Sequence, residues 1–502
     1  MTDTESRFGG RIALRGRSLR VVAAQGAIVN GIYQVLLITV GMLRGVVVAA
    51  FLTAEEYGVW GLLFITLTTL MFLKQFGVGD KFVQQGEEDQ EAAFQKAFTF
   101  ELISTAAFLV LIAVCLPLLA LMYGQSEIVL PGLLMSLGLL ISSFQSPLWI
   151  YFRRMDFVPQ RVIQALDPVV GFVVTVALAV AGAGYWSLVA GVLAGAIAAS
   201  SAAVIMSPYK LGLRFDRRSV REYFAFSWPL VVAGGSTLVI AQGSIIATEA
   251  RYGLAGVGAI SLASTIVAYS DRVDSVVTST IYPAICAVRD RTDLLYEAFI
   301  KSNRLSLIWG LPFGVGVSLF AADIVDFVLP ANAGWASAEV LLQVFGISAA
   351  LAHIGFNWGA FYLARGQTRP IAVWSSVTMV SFLLVPLPLL IFSGFTAFAF
   401  GIAVMSAVSL ALRTYYLARI FEGYAFVRHA ARAMLPTVPA VAVVIGLRLA
   451  ESSDRTLGLA IAEVVAYGIV AGIATLLIER RLLGEVVGYL RNRSAGPAPA
   501  SV

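Results

Sequence analysis

The sequence predicts an all-α polytopic membrane protein with about 14 transmembrane helices, in two pseudo-repeated six-helix lobes followed by a C-terminal helix pair. Three observations predict it. Apolar stretches long enough to cross a bilayer follow one another almost without interruption over the 502 residues. Hydrophobic residues make up 59%, charged residues only 13%, and the mean hydropathy is +0.85, far from the soluble balance of roughly a quarter charged. Lys and Arg collect in every second gap between the apolar stretches, the asymmetry that marks cytoplasmic loops.

In chain order, the spans are expected at 22–51, 57–79, 97–123, 128–150, 162–181, 185–206, 224–248, 254–285, 302–328, 338–363, 371–392, 396–416, 433–449 and 456–478. Each holds about 20 or more predominantly apolar residues, the length a bilayer requires. Little chain is left between them, which excludes a sizeable extramembrane catalytic domain. The basic groups fall before the first span (Arg7 to Arg20) and at Lys81 and Lys96, Arg153 to Arg161, Lys210 to Arg221, Arg289 to Arg304, Arg365 and Arg369, Arg413 to Arg432, and Arg480 to Arg493. All of these gaps lie on one side, while the opposite gaps hold only Arg251, Arg448 and Arg455. Both termini are therefore expected in the cytoplasm, with the first span retained as a helix and not removed as a signal peptide. The net charge of +5 reflects this anchoring and does not point to nucleic acid. Cys115 and Cys286 belong to no metal or redox spacing, which leaves ordinary packing for both.

The longest basic connection, 207–223, divides the chain into a first lobe (1–208), a second lobe (209–424), and a terminal pair with its cytoplasmic tail (425–502). Internal echoes support the division. Tyr57-Gly58 at the first outer turn recurs as Tyr252-Gly253 after the seventh span, and Tyr151-Phe152-Arg153-Arg154 recurs loosely as Tyr362-Leu363-Ala364-Arg365 after the tenth. Repeated halves of this kind are the architecture of transporters that rock around a central site.

Four segments carry a family resemblance: Leu52-Thr53-Ala54-Glu55-Glu56-Tyr57-Gly58-Val59-Trp60, then Gly77-Val78-Gly79-Asp80, then Tyr151 to Phe157, then Ala181 to Leu188. Together they resemble the bacterial polysaccharide transporters of the multidrug/oligosaccharidyl-lipid/polysaccharide exporter superfamily, and among them the Wzx-type oligosaccharide flippases. The resemblance covers nearly the whole chain. It implies a V-shaped pair of six-helix lobes and a flippase of the bacterial cytoplasmic membrane that passes a polyprenyl-diphosphate-linked oligosaccharide outward by alternating access. The implied partners are the lipid-linked glycan, membrane lipids and the polysaccharide polymerase or export machinery. No cofactor is implied, and drive by a proton or ion gradient stays open. Many relatives carry an acidic residue late in the seventh span, where this chain has Ser244, so any coupling role of that acid does not transfer.

Ionisable and polar residues at membrane depth are costly unless they face protein or water, so they are the candidate site residues. In the eighth span Ser261, Ser264, Thr265, Asp271, Arg272, Ser275, Thr278 and Ser279 recur at helical steps, opposite an apolar arc of Leu262, Ile266, Val273 and Val277. A water-filled cavity would account for the stripe, with Arg272 meeting a diphosphate or acidic sugar and the hydroxyls meeting sugar. The alternative is a neutralising cluster of Asp271, Asp274 and Arg272 with neighbouring helices. In the first span Asn30, Gln34, Gly41, Arg44 and Gly45 share one arc and suggest a second cavity wall, although glycines so spaced also allow close helix packing. Lys74, inside the second span, completes the set, with positive-inside anchoring as its ordinary explanation. Arg153, Arg154 and Arg161 stand either as topology determinants or as attractors of an anionic headgroup. Asp167 lines the inner mouth or pairs with Arg161. His353 and Asn357, four residues apart in the tenth span, read as a packing pair. Pro229, Pro312, Pro386 and Pro388 are expected to bend their helices.

Enzymes of glycan assembly, a polymerase or ligase, are also polytopic, but they need acid/base or metal groups gathered on an accessible loop. Here Glu127, Asp323, Asp326 and Glu339 are scattered, only two His exist (His353 and His429), and no GxxxxGK[ST] run occurs. A drug or cation antiporter of the same superfamily would favour lone carboxylates at depth, whereas Arg44 and Arg272 suit an anion. A scaffold role in an envelope complex would use the same helices without transport.

Overall fold

In a computed structural model, the residues described are 19–49, 51, 60, 63, 67, 70, 71, 74, 76–123, 126–328, 336–451 and 455–491. The basic N-terminal residues before position 19, the segment 52–59, most of the second span and Arg493 lie outside them. Among the described residues every regular element is helical.

The chain forms two compact units: residues 1–235 with 363–368 and the last residues, and residues 236–362 with 369–495. The first holds α1 (Leu19–Ala49), α2 (Val78–Gln84), α3 (Gln90–Tyr123), α4 (Val129–Ser143), α5 (Leu148–Arg153), α6 (Phe157–Val180), α7 (Trp186–Ile205) and the start of α8 (Arg217–Ala268). The second holds the rest of α8, α9 (Asp271–Ala287), α10 (Thr292–Leu319), α11 (Ala336–Ala352), α12 (Trp358–Ala364), α13 (Arg369–Leu384), α14 (Pro386–Ser393), α15 (Phe395–Ile420), α16 (Phe426–Met434), α17 (Val438–Ala450), α18 (Leu457–Ile478) and α19 (Arg480–Arg491). Among the described residues, eight helices are long and apolar enough to cross a membrane, or ten when two bent pairs each count as one span. The other expected spans are the little-described second, the first, whose apolar stretch is Gln25–Gly41, and the eighth and tenth, each split into two helices.

Close helix contact rests on small residues, because water supplies no drive between helices in lipid. In the first unit α6 and α7 meet where a Cβ on Gly191 would stand 2.7 Å from the Gly171 carbonyl oxygen. In the second, α10 and α11 cross at Gly314 and Gly346, each with the other's carbonyl oxygen 2.6 Å from where a Cβ would be. One core of the first unit is aromatic: Phe82, Phe94, Phe98, Ile150 and Tyr223 are buried together, with Phe82 and Phe94 edge to face at 5.9 Å. The second unit packs Ala259, Ala263, Leu341, Leu342, Phe382 and Phe398 into a continuous core.

Several spans are broken, and the breaks set the site. Helix α8 is broken by a kink at Gly253, whose φ 64° and ψ −166° are non-helical, and its second, shorter part ends at a two-residue turn, Tyr269 and Ser270, before α9. The expected eighth span is therefore two helices. The tenth parts between α11 and α12 at Gly355, φ 74°, where glycine meets no Cβ penalty. The eleventh parts at Val385, immediately before Pro386, as the proline placement suggests. Pro229 and Pro312 lie inside helices that continue past them. Beyond α10 the chain bends by 64° into Ala321–Phe327, and α16 to α17 bends by 47°. The latter is the thirteenth span, whose first part is a basic, amphipathic helix. Helix α18 opens on Thr456, whose hydroxyl accepts from the Leu459 amide, and α19 is an amphipathic segment that the hydropathy reading had not separated as a helix.

Candidate functional site

In the second unit the break between α8 and α9 presents the polar stripe. Ser264 and Thr265 on α8, Tyr269 in the turn, and Asp271, Arg272 and Ser275 on α9 are all exposed. Arg272 lies over the Tyr269 ring, 5.6 Å from its centroid, with its guanidinium turned outward. Ser264, Asp271, Arg272 and Ser275 of the expected stripe are thus each accessible, on either side of the turn. The turn at Ser270 resets the helical phase, so Ser279 is only half-buried and the Thr278 hydroxyl is buried.

The anticipated neutralising cluster divides in two. Arg272 faces out, while Asp274, fully buried, faces in. There its Oδ2 stands 3.3 Å from His353 Nε2, and Asp271 Oδ1 stands 3.4 Å from the same nitrogen. The Ser270 carbonyl oxygen lies 3.1 Å from Nε2, and the opposite ring nitrogen, Nδ1, lies 2.7 Å from the Ala349 carbonyl oxygen. Ser306 on α10 sits beside Asp274. His353, read from sequence as half of a packing pair, is instead the centre of this cluster. Its signal was available, as one of two histidines in the chain and the one set within an apolar run. Asn357 bonds elsewhere, donating to Ser302 Oγ at 2.7 Å.

Asn303 of α10 holds the break that places His353. Its Nδ2 donates to the His353 carbonyl at 2.9 Å, and its Oδ1 accepts from the Gly355 amide at 3.1 Å and from His429 Nε2 at 2.7 Å. Arg413 of α15, buried, donates to the carbonyls of Ala352 and Ile354, and its charge reaches Asp271 and Asp274. Sequence reading counted Arg413 among cytoplasmic anchors. Spacing along the chain carries no sign that a residue about sixty positions on would satisfy a helix end.

The first unit has its own polar cluster. Asn30 on α1 is buried and accepts from Arg161 Nε at 2.6 Å, Arg161 also donates to Gln164, and its guanidinium covers the Tyr33 ring at 4.8 Å. Gln34 is half-buried one turn on, and Arg44 is half-buried with its charge acting on Asp167. Lys74 pairs with Glu101 of α3 at 3.3 Å, both side chains largely covered. These residues are joined across helices, not gathered on one open surface. Arg153 is buried and donates to the carbonyls of Phe82, Val83 and Gln85, so it seals the end of α2 and does not present itself to a headgroup. Ser244 bonds back to the Ile240 carbonyl at 2.7 Å.

Away from the stripe, Asp323, Glu451 and Glu463 meet Arg448 and Arg455 in a five-member ion network, where Arg455 spans Asp323 and Glu463 at 2.5–3.2 Å. The two carboxyls hold the Arg455 guanidinium well above its ordinary value. The acids at 323 and 463 are therefore structural.

The sequence profile of the family described as "Polysaccharide biosynthesis protein" matches residues 47–338, more than half of the chain. The chain belongs to this family. A curated relative of this polysaccharide transporter family, the succinoglycan biosynthesis transport protein ExoT of Rhizobium meliloti, is 22% identical over 341 residues, 67% of this chain and 68% of its own. Solved structures share the fold. A MATE transporter in the bent conformation aligns with TM-score 0.69 at 13% identity over 80% of this chain and 98% of its own. A MOP superfamily transporter from Pyrococcus furiosus aligns with TM-score 0.67 at 12% identity over 80% and 97%. As a member of the polysaccharide transporter family, the chain is a multi-pass membrane transporter, and the stripe and cluster above are its candidate functional residues.

Proposed function

We propose that this transporter carries a polyprenyl-diphosphate-linked oligosaccharide outward across the cytoplasmic membrane by alternating access, with both termini in the cytoplasm, and hands it to polysaccharide polymerase and export machinery. The exposed stripe carries the reading. A guanidinium and several hydroxyls stand open to the surface on a chain whose other long helices are apolar, and this combination suits a diphosphate followed by sugar. Arg272 meets the diphosphate in a two-pronged contact, Ser264 and Ser275 meet the proximal sugar, and the two lobes with their terminal helix pair move as the units of the cycle. The name of the succinoglycan transport relative supports a glycan substrate. A cationic drug is disfavoured by Arg272 at the centre of the stripe.

Translocation of a fluorescent polyprenyl-diphosphate glycan in proteoliposomes tests this. Arg272→Gln is expected to stop transport, and Arg272→Lys to slow it, because an ammonium cannot reproduce the planar fork. Transport at the full rate by Arg272→Gln, or no transport by the unaltered protein across a panel of glycans, would overturn the reading.

A further inference from the structure

Behind the stripe, three oxygens converge on His353 Nε2. The Ala349 carbonyl at 2.7 Å can only accept, so His353 Nδ1 carries the ring proton and Nε2 presents its lone pair. That lone pair confronts the Ser270 carbonyl oxygen at 3.1 Å, Asp274 Oδ2 at 3.3 Å and Asp271 Oδ1 at 3.4 Å. Asp274 is wholly buried, and neither of its oxygens reaches full hydrogen-bond geometry with a donor, the Ser306 hydroxyl beside it included. An arrangement of this kind is repulsive unless a cation lies within it.

We propose that His353 Nε2, Asp274, Asp271 and the Ser270 carbonyl bind a single small divalent transition-metal ion of the zinc or manganese class. The separations discriminate between cations. A proton on Nε2 shared with carboxylates draws them to about 2.7 to 2.9 Å, as charge-assisted hydrogen bonds do. Ligands about 2.1 Å from a common metal at tetrahedral to octahedral angles stand about 3.0 to 3.4 Å from each other. The 3.3 and 3.4 Å from Nε2 to the two carboxylates fall in that range. The ligating oxygens and nitrogen of the three side chains all lie within 4.8 Å of one another. The Nδ1–H to backbone carbonyl bond is the outer support that fixes a metal-binding imidazole in its tautomer and orientation. One imidazole with carboxylate and carbonyl oxygens excludes the soft ions and disfavours calcium and magnesium. Asp271, with its side chain 55% exposed, gives the entry path.

The ion has a consequence for the stripe. Asp271 is the neighbour of Arg272, and the two charges act on each other. A metal that neutralises Asp271 leaves the guanidinium available to an anion. This clause rests on the proposed glycan-diphosphate reading, whereas the metal site itself does not.

Titration of chelator-stripped, tag-free protein in detergent with Zn²⁺ or Mn²⁺ alone, followed by calorimetry, tests the site. One equivalent is expected to bind, with Asp274→Asn and His353→Ala abolishing it. Asp271→Asn, on an exposed position that does not endanger folding, is expected to weaken it by about tenfold or more. Bound Co²⁺ is expected to show visible absorption that His353→Ala removes. Failure to bind, or binding that Asp271→Asn and Asp274→Asn leave unchanged, overturns the proposal. So does uptake of one proton by the cluster with no metal. Because no glycan is present, these outcomes are independent of the transport assay.

Discussion

Gly310 on α10 faces the His353 ring, and its replacement by alanine tests how tightly that ring is held. A Cβ there would stand 2.5 Å from His353 Cγ and 2.7 Å from Nε2, and nearer still to Cδ2. Relief to ordinary contact requires the ring to move by about 1 Å. The ring is held through Nδ1–H on the Ala349 carbonyl and cannot make that move with this bond kept. Overpacking costs about 1 to 3 kcal/mol and each hydrogen bond lost about 1 kcal/mol. Alanine returns about 1 kcal/mol of helix propensity. The net expectation is a destabilisation of about 2 kcal/mol. The decisive measurement is a double-mutant cycle by denaturant unfolding in mixed micelles. With His353→Ala in place the added methyl has room, so Gly310→Ala becomes neutral or stabilising, and the coupling is about 3 kcal/mol. Additive effects of the two substitutions would refute the reasoning.

Other substitutions separate structural charges from functional ones. Arg455→Ala leaves Asp323 and Glu463 with only Arg448 between them, and a loss of about 2 kcal/mol is expected in thermal or denaturant unfolding. Asp323→Asn combined with Glu463→Gln should recover part of it. Arg153→Met strips the donors from three carbonyls at the end of α2 and should cost about 3 kcal/mol, while Arg154→Met, whose side chain bonds to the Tyr209 hydroxyl and covers its ring, should cost much less. Asp216 caps α8 through the Ser219 hydroxyl and amide, which hold its carboxyl below the usual carboxylate range. Because its value is depressed on folding, its contribution is complete at neutral pH and disappears as pH falls through that lowered value. Faster amide exchange at Arg218 and Ser219 in acid, matched at neutral pH by Asp216→Ala, is the expected signature.

Hydropathy revealed most of the spans, because a lipid solvent imposes length and apolarity on each segment separately. Helices α6, α7, α15 and α18 lie close to their expected bounds for that reason. The breaks were less legible. Pro386 marks one of them, but Pro229 and Pro312 sit in continuous helices, and the turns at Ser270 and Gly355 carry no proline. What fixes the Gly355 turn is Asn303 and Arg413, about fifty and sixty residues away, and such partnership is invisible to a window moving along the chain. The stripe was legible as periodicity. Its division into an outward Arg272 and an inward Asp274 was not, since that depends on which neighbour supplies His353.

The arginines that seal helix ends have a consequence for how the chain is made. The carbonyls of Ala352 and Ile354 wait for a residue 61 and 59 positions later, and those of Phe82 and Gln85 for one 71 and 68 positions later. At ribosomal speeds of about 5 to 20 residues per second, each of these helix ends is synthesised roughly 3 to 14 seconds before its sealing guanidinium. For that interval its open turn must stay at the insertion machinery or in water. The order of synthesis therefore prescribes an order of assembly, in which neither half is finished until its late arginine arrives.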